Sequence, residues 1–476
     1  MKNPFQLNKN GSASANRLAF FNILGPVILN GINFFTIPIF TRLLGAANFG
    51  VVSVYTTWMQ VLTIVMGVQT GGTIATARVH ISEYEHDRYY SSILSLSCLT
   101  SAAVAAVVAA LIRPIAGLTE LNSRLIVFLL MHSFGAYLIN FASSKLIQHK
   151  QAAANFVISV LTSGCSVGLA LWLVTRAQTD EALQSGRIMG YALPNFIIGL
   201  FLMGMIFARG KTGFNRQYWR FCLPLCLPLV LHSLSQIALS HCDILMLQKL
   251  LSDDAAVGVY SAAFNVAHVI NIIYLALNNT WVPLYYDMAK EEKREEIRLR
   301  SGRYLMLFTV LTMGFMLLVP EVYGVLIDSS YAAGRRLLPV MTVSFYMIFL
   351  YSFPVNFEFF HKKSSMIALG TTCAAVVNVV ANYFLIRAFG EMGAAAATLL
   401  SYTALFLFHH LIAKRLVGKG EYHYRMRQFL PGLLAVVACA ALCYALDGVW
   451  IARWAVGAVL GVFLLYRVVF KQKSIF

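Results

Sequence analysis

CLPLCLPLVLHSLSQIALSHCDILML, residues 222–247, is long enough to cross a bilayer without being uniformly apolar. Pro224 and Pro228 sit in its first turns, and His232, Gln236, Ser240 and Asp243 then recur at steps of four, four and three. At 3.6 residues per turn these four side chains share one stripe of a helix. A carboxylate at the middle of a membrane-spanning helix costs at least ~2.5 to 3.5 kcal/mol on insertion scales, so Asp243 is expected to face protein or water, not lipid. The stretch is therefore predicted to be one wall of a hydrated path. A second polar stripe, Asn22, Pro26, Asn30 and Asn33, stands 210 positions earlier at every step. Two related halves facing a common cavity are the simplest architecture with such a spacing.

The rest of the chain agrees with a membrane setting. Of its 476 residues, 59% are hydrophobic and 12% charged, and the mean hydropathy is +0.69. Soluble domains carry about 25% charged residues. Apolar runs of twenty or more residues recur, which predicts helical spans and excludes the alternating strands of an outer-membrane barrel. The net charge of +17 lies in the segments between apolar runs. It reads as membrane-flanking charge, and no nucleic acid partner is expected.

Fourteen spans are predicted, at 18–40, 51–70, 92–112, 125–146, 153–175, 188–208, 222–247, 257–281, 304–327, 338–360, 365–386, 392–413, 429–446 and 450–468. An even number puts both termini on one side. That side holds 27 of the 37 Lys and Arg residues and the other side 10, so both termini are predicted cytoplasmic. The basic clusters are Arg209–Arg220, Lys290–Arg303 and Lys414–Arg427. The middle one, read from Ala289 to Arg303 with EEKREEIRLR at 291–300, is expected to form an amphipathic surface helix that lies on the cytoplasmic lipid surface or caps the bundle. Residues 1–16 are polar and no small-residue cleavage site follows, so no cleavable signal is expected. The eight cysteines fall inside predicted spans and read as small packing residues.

Short internal matches repeat the offset of the two stripes. Gln148-His149-Lys150-Gln151 resembles Phe360-His361-Lys362-Lys363, and Arg42-Leu43-Leu44 with Gly50 and Tyr55 resembles Lys249-Leu250-Leu251 with Gly258 and Tyr260. A shift near 210 residues equals six spans, which makes the repeat parallel about an axis along the membrane normal. The expected organisation is an N-terminal lobe (1–213), a C-terminal lobe (214–415) and a terminal helix pair (416–476). The fold class is all-α and polytopic, with two similar six-helix lobes around a central cavity.

Candidate cavity residues are the polar and basic groups at or inside the spans: Asn30, Asn33, Arg42, Lys145, His232, Gln236, Asp243, Asn265, His268 and Lys362. Cations among them suit phosphate oxygens. Lys145, inside the end of span four, is the foremost of these. Asp243, His232 and Glu358 are candidates for ion coupling, with Glu358 expected to pair with His361 or Lys362. Asn378 and Asn382, at i,i+4, fit ordinary hydrogen bonding between helices. Gly204–Thr212 imitates a nucleotide-binding loop but has five residues between its glycines and follows a span, not a strand. HExxH, CxxC and GxSxG are absent from the sequence. No metal, cofactor or catalytic residue is expected, and a secondary transporter is favoured over an enzyme.

The run Asn33–Gly50 (NFFTIPIFTRLLGAANFG) resembles the first span and following loop of bacterial polysaccharide-repeat-unit, or O-antigen, flippases, members of the multidrug/oligosaccharidyl-lipid/polysaccharide exporter superfamily. CDILML at 242–247, followed by GVYS at 258–261, resembles the matching place in their second half. The likeness covers roughly residues 15–415. It implies a two-lobed bundle alternating between inward- and outward-open states in the bacterial inner membrane. The implied cargo is a polyprenyl-diphosphate-linked oligosaccharide for surface polysaccharide or lipopolysaccharide assembly. Membrane lipids, a polysaccharide polymerase and a chain-length regulator are the implied partners. Competing expectations are an ion-coupled drug or metabolite antiporter, a peptidoglycan-precursor flippase and, from another class, a membrane glycosyltransferase or polymerase.

Overall fold

The computed structural model describes residues 9–416 and 422–466, with side chains from Thr36 onward except at Ser364, Leu416, Leu464 and Leu465. Fifteen α-helices follow one another: α1 (Lys9–Gly67), α2 (Ile74–His80), α3 (His86–Ala110), α4 (Ile112–Thr119), α5 (Ser123–Gln148), α6 (Ala152–Val174), α7 (Asp180–Gly210), α8 (Arg216–Leu251), α9 (Asp254–Ala267), α10 (Val269–Lys290), α11 (Arg294–Leu326), α12 (Leu338–Phe360), α13 (Ser364–Leu416), α14 (Met426–Ala445) and α15 (Trp450–Leu465). Short 3-10 turns join some of them, and no strand occurs among the described residues.

Eleven helical runs among the described residues are long and apolar enough to cross a membrane, and α15 contains a shorter apolar helix. The predicted spans fall on these helices, span eight crossing from α9 to α10 at His268; residues 467–468 of span fourteen lie outside the described residues. Spans one and two share α1, which is interrupted at Gly45 (φ 71, ψ 169), and spans eleven and twelve share α13, interrupted at Gly390 (φ 56, ψ −134). Both glycines hold backbone angles that an L side chain rarely adopts. Asn30 and Asn33 lie outside the residues whose side chains are described.

One expectation is corrected. The mixed-charge stretch is not a separate surface helix. α10 ends at Lys290, a tight turn follows with Glu292 at φ 54, and α11 then runs unbroken from Arg294 to Leu326. No proline separates Arg294 from the apolar residues beyond Arg303, and the lone Gly302 does not break the helix, so the charged turns and the span form one helix.

The chain divides into two compact units, Met1–Leu44 with Val51–Leu234, and Gly45–Gly50 with Ser235–Phe476. In the first, α7 packs on α5 and α6. Gly135 makes the approach possible, because a Cβ there would strike the backbone of Asn195 and Phe196. Tyr89, Tyr90, Tyr137, Phe141, Leu202 and Cys222 belong to its core. Thr70 and Ser97 accept or donate at the Tyr137 hydroxyl at 2.6 Å each, so this buried phenol is satisfied.

In the second unit α12 is the most buried helix and packs along α13. Its Phe349 and Phe353 meet Phe308 and Tyr304 of α11, with ring centroids 4.3–5.7 Å apart. α14 and α15 both pack on α11. Arg453 of α15 is buried and bonds Glu321, which also accepts from Trp454 Nε1 at 3.1 Å. At the start of this unit, Gly50 and Gly258 lie in one helix crossing. A Cβ on Gly50 would collide with the Asp254 carbonyl, and one on Gly258 with the Ala46 carbonyl.

The two sequence matches reappear as matched backbone. His149 and His361 both cap their helices at φ −87, ψ 11, and Lys150 and Lys362 both follow at φ 58. The amide of Gln151 bonds the Leu146 carbonyl at 2.8 Å, and that of Lys363 the Glu358 carbonyl at 2.9 Å. After the other match, Gly45 and Ser252 stand at φ 71 and φ 53.

Candidate functional site

The buried carboxylate on α8 forms the most elaborate polar cluster. Asp243 is fully buried, and its Oδ2 accepts from Tyr260 Oη of α9 at 2.6 Å and from Thr398 Oγ1 of α13 at 2.5 Å. Its Oδ1 accepts from Asn382 Nδ2 at 2.8 Å, and the same amide nitrogen bonds Asn378 Oδ1 at 3.0 Å. Cys242 Sγ closes the cluster, 2.8 Å from Asn378 Oδ1. Gly390 separates the arm of α13 carrying the two asparagines from the arm carrying Thr398, so the break lets one helix present residues from two directions.

None of these partners is a cation. A buried carboxylate surrounded only by neutral donors retains a large desolvation cost unless it takes a proton or a positive ion. Asn382 Oδ1 is buried without a partner, as is Asn378 Nδ2. One carboxylate with two amide oxygens and a threonine hydroxyl is a hard, singly charged oxygen set, poor in carboxylates for a divalent ion. No group of three or more His, Cys, Asp or Glu that could hold a metal occurs among the described residues. The arrangement fits a proton or a monovalent cation.

Asp243 thus does not line an open path as the stripe suggested; it is sealed among α8, α9 and α13. The rest of the stripe differs in exposure. His232 and Gln236 are half-buried, and Ser240 Oγ meets Tyr402 Oη at 3.2 Å. His232 Nδ1 is buried without a partner. Asn265 is half-buried, and His268, between α9 and α10, meets Asn271 Nδ2 at 3.1 Å.

Glu358 corrects a further expectation. It is fully buried, and both its oxygens lie 3.0 Å from Nδ1 of His409, itself fully buried. His361 instead turns Nδ1 to the Phe357 carbonyl at 2.9 Å, and Lys362 is exposed. His409 Nε2 has no partner. Gly370 leaves room for the imidazole, since a Cβ there would press on its ring.

In the first unit Lys145 is already neutralised, its Nζ 2.6 Å from Asp87 Oδ1 and 5.2 Å from the Tyr90 ring centre. Tyr90 Oη meets His149 Nε2 at 3.0 Å. Asp87, Lys145, His149 and Arg209 line a cavity of about 760 Å³ whose other wall carries Val157, Phe201 and Met205, all exposed. Partial burial, and then the charges of Lys145, His86 and Arg78, hold His149 below the ordinary imidazole range. Arg42 is exposed on α1.

Sequence reasoning missed Tyr260 and Thr398 as partners of Asp243, and His409 as partner of Glu358. The i,i+4 pair Asn378 and Asn382 was visible, but not its convergence on the carboxylate.

The chain is a helical membrane bundle, and comparison with known proteins shows which proteins it is similar to. The chain matches the model of the polysaccharide biosynthesis protein family over residues 17–289 and belongs to that family. It is 22% identical over 367 residues to "Lsg locus putative protein 1" of Haemophilus influenzae, covering 75% of this chain and 88% of that protein. It is 21% identical over 425 residues to a "probable low-salt glycan biosynthesis flippase Agl15" of Haloferax volcanii, covering 86% and 85%. The fold is similar to that of the lipid II flippase MurJ in an inward closed conformation, with a TM-score of 0.74 at 15% identity over 94% of this chain and 99% of that one. It is also similar to an inward-facing multidrug resistance MATE family transporter of the MOP superfamily, with a TM-score of 0.60 at 15% identity over 86% and 94%.

Proposed function

We propose that this protein flips a lipid-diphosphate-linked oligosaccharide, an O-antigen-type repeat unit, across the bacterial inner membrane by alternating access. Both termini are then cytoplasmic, and residues 1–213 and 214–415 act as two lobes with 416–476 as an added helix pair. The observation that carries this reading is membership of the polysaccharide biosynthesis family on a transporter fold. The relative named as a glycan biosynthesis flippase, aligned over 86% of the chain, supports it. Matched turns at Lys150 and Lys362 support the duplication. A sugar headgroup needs a hydrogen-bonding path, its diphosphate needs cations, and its tail can remain in the bilayer.

Asp243 is the coupling residue in this reading, and Glu358 with His409 a second buried ionisable pair. His232, Gln236, Asn265 and His268, with Asn30 and Asn33, would meet the sugar, and Arg42, Lys145 and Lys362 the phosphates. Lys145 must exchange Asp87 for phosphate to do so. Membrane potential is an alternative drive, because moving one charge through 100 mV is worth ~2.3 kcal/mol.

Deletion of the gene, with analysis of surface glycans and lipid-linked intermediates, tests the cargo. Loss of surface polysaccharide with accumulation of its lipid-linked unit is expected; intact surface glycan refutes the reading. The likeness to a lipid II flippase favours a second reading, a peptidoglycan-precursor flippase, in which deletion stops growth. Polymerase and chain-length regulator partners belong to the first reading and would co-purify with the protein.

A further inference from the structure

Two of the basic clusters noted in the sequence come together in the second unit. Arg294 and Arg298 open α11, Lys414 lies in the last turns of α13, and Arg425 precedes α14; all four line one pocket of about 530 Å³. Among the described residues one carboxylate, Glu295, lines it with them, 4.0 Å from Arg298. Residues some 120 positions apart thus gather four cations around one space, and the excess of positive over negative side chains lining it attracts an anion. The backbone adds to the same field. The N-termini of α11 and α14, helices of 33 and 20 residues, both border the pocket, and the positive end of a helix dipole attracts anions.

Two further residues of the wall are described by their burial. Tyr424 lines the pocket, is only 3% exposed, and its hydroxyl has no hydrogen-bond partner. A buried hydroxyl without a partner costs about 1–3 kcal/mol. His423, in the same wall, is held below the ordinary imidazole range by burial and then by the positive charges of Arg294 and His361.

We propose that this pocket is a binding site for a phosphate-bearing anion, supplied either by an anionic lipid headgroup or by a soluble phosphate. The site is separate from Asp243 and does not rest on the flipping reading. Arg298 and Lys414, both exposed, supply charge-assisted hydrogen bonds to phosphate oxygens, and Arg294 and Arg425 complete the cationic ring.

The full-length protein in nanodiscs tests it, with thermal unfolding as the readout. One arm compares phosphatidylcholine discs with discs containing graded phosphatidylglycerol. The other titrates inorganic pyrophosphate into phosphatidylcholine discs. Stabilisation in the first arm alone identifies a lipid headgroup as the occupant, in the second alone a soluble phosphate, and in both a site open to either. In each case R298Q/K414Q must weaken the response about tenfold or more, since a hydrogen bond to a charged group is worth about that much. R216Q/R220Q, which removes the same charge from the first unit, must leave it intact. Should the double variant fold poorly, K414Q alone carries the comparison. No response to either probe, or equal weakening by both double variants, overturns the proposal.

Discussion

Asp243 and Glu358 are both fully buried carboxylates, and their surroundings assign them different work. Glu358 has a histidine partner in His409, whereas Asp243 has hydroxyls, an amide and the Cys242 thiol. Removing one member of a buried ion pair costs about 3–5 kcal/mol, while replacing both by apolar groups of similar volume is often neutral. E358L should therefore reduce the yield of folded protein more than E358L/H409L does, by fluorescence-detected size exclusion; equal losses would show that the pair is not the reason for their burial. For Asp243 the test is coupling. D243N should remain folded, because an amide can still accept from Tyr260 and Thr398. In proteoliposomes it should abolish the effect of a pH or sodium step on flipping. A variant that responds to both steps like the wild type removes Asp243 from the mechanism. At His149 the sign is set by its lowered pKa. The unfolded chain binds a proton more readily than the folded one, so this residue's contribution to stability is present above the ordinary imidazole value of about 6.5 and is lost as pH falls through it. H149Q should show a shallower fall in melting temperature over that window.

The helices themselves were legible from hydropathy and breakers, because backbone groups in lipid leave few alternatives. Their partners were less so. Glu358 lies three residues before His361 in sequence, but Phe357 carbonyl takes that imidazole and the carboxylate reaches a histidine 51 residues away. Local spacing carries no record of which helix will pack alongside. Tyr260 showed the same limit: it was visible as a repeated residue, not as a donor to Asp243. The charge-rich stretch at 291–300 was misread because its composition suits a lipid surface equally as a free helix or as the first turns of α11. The crossing of Gly50 and Gly258 is an element-scale feature with a direct test. Each Cβ would overlap a carbonyl of the facing helix, so G258V should abolish a monodisperse folded peak and G258A should reduce it. A G258V protein that melts like the wild type would mean the crossing yields without cost.

For the whole molecule, the charge count predicts topology that the transporter fold alone does not. Reporter fusions after Lys150 or Arg303 should be active as cytoplasmic fluorescent proteins, and fusions after Arg113 or Arg336 as exported phosphatase. The reverse pattern would turn the proposed direction of transport around. The family was legible in Asn33–Gly50, and residues 17–289 carry the match. The cavity residues were only partly legible, since a polar stripe on α8 does not say whether a side chain meets water or another helix.

The twin turns at Lys150 and Lys362 give the molecule its own internal control. Each holds a lysine where glycine is the more comfortable occupant, by about 1 kcal/mol. The same edit to glycine, made in either copy, should raise the melting temperature by a similar increment. Whatever one turn then loses in transport that the other keeps measures how differently the two turns, alike in backbone, serve the protein.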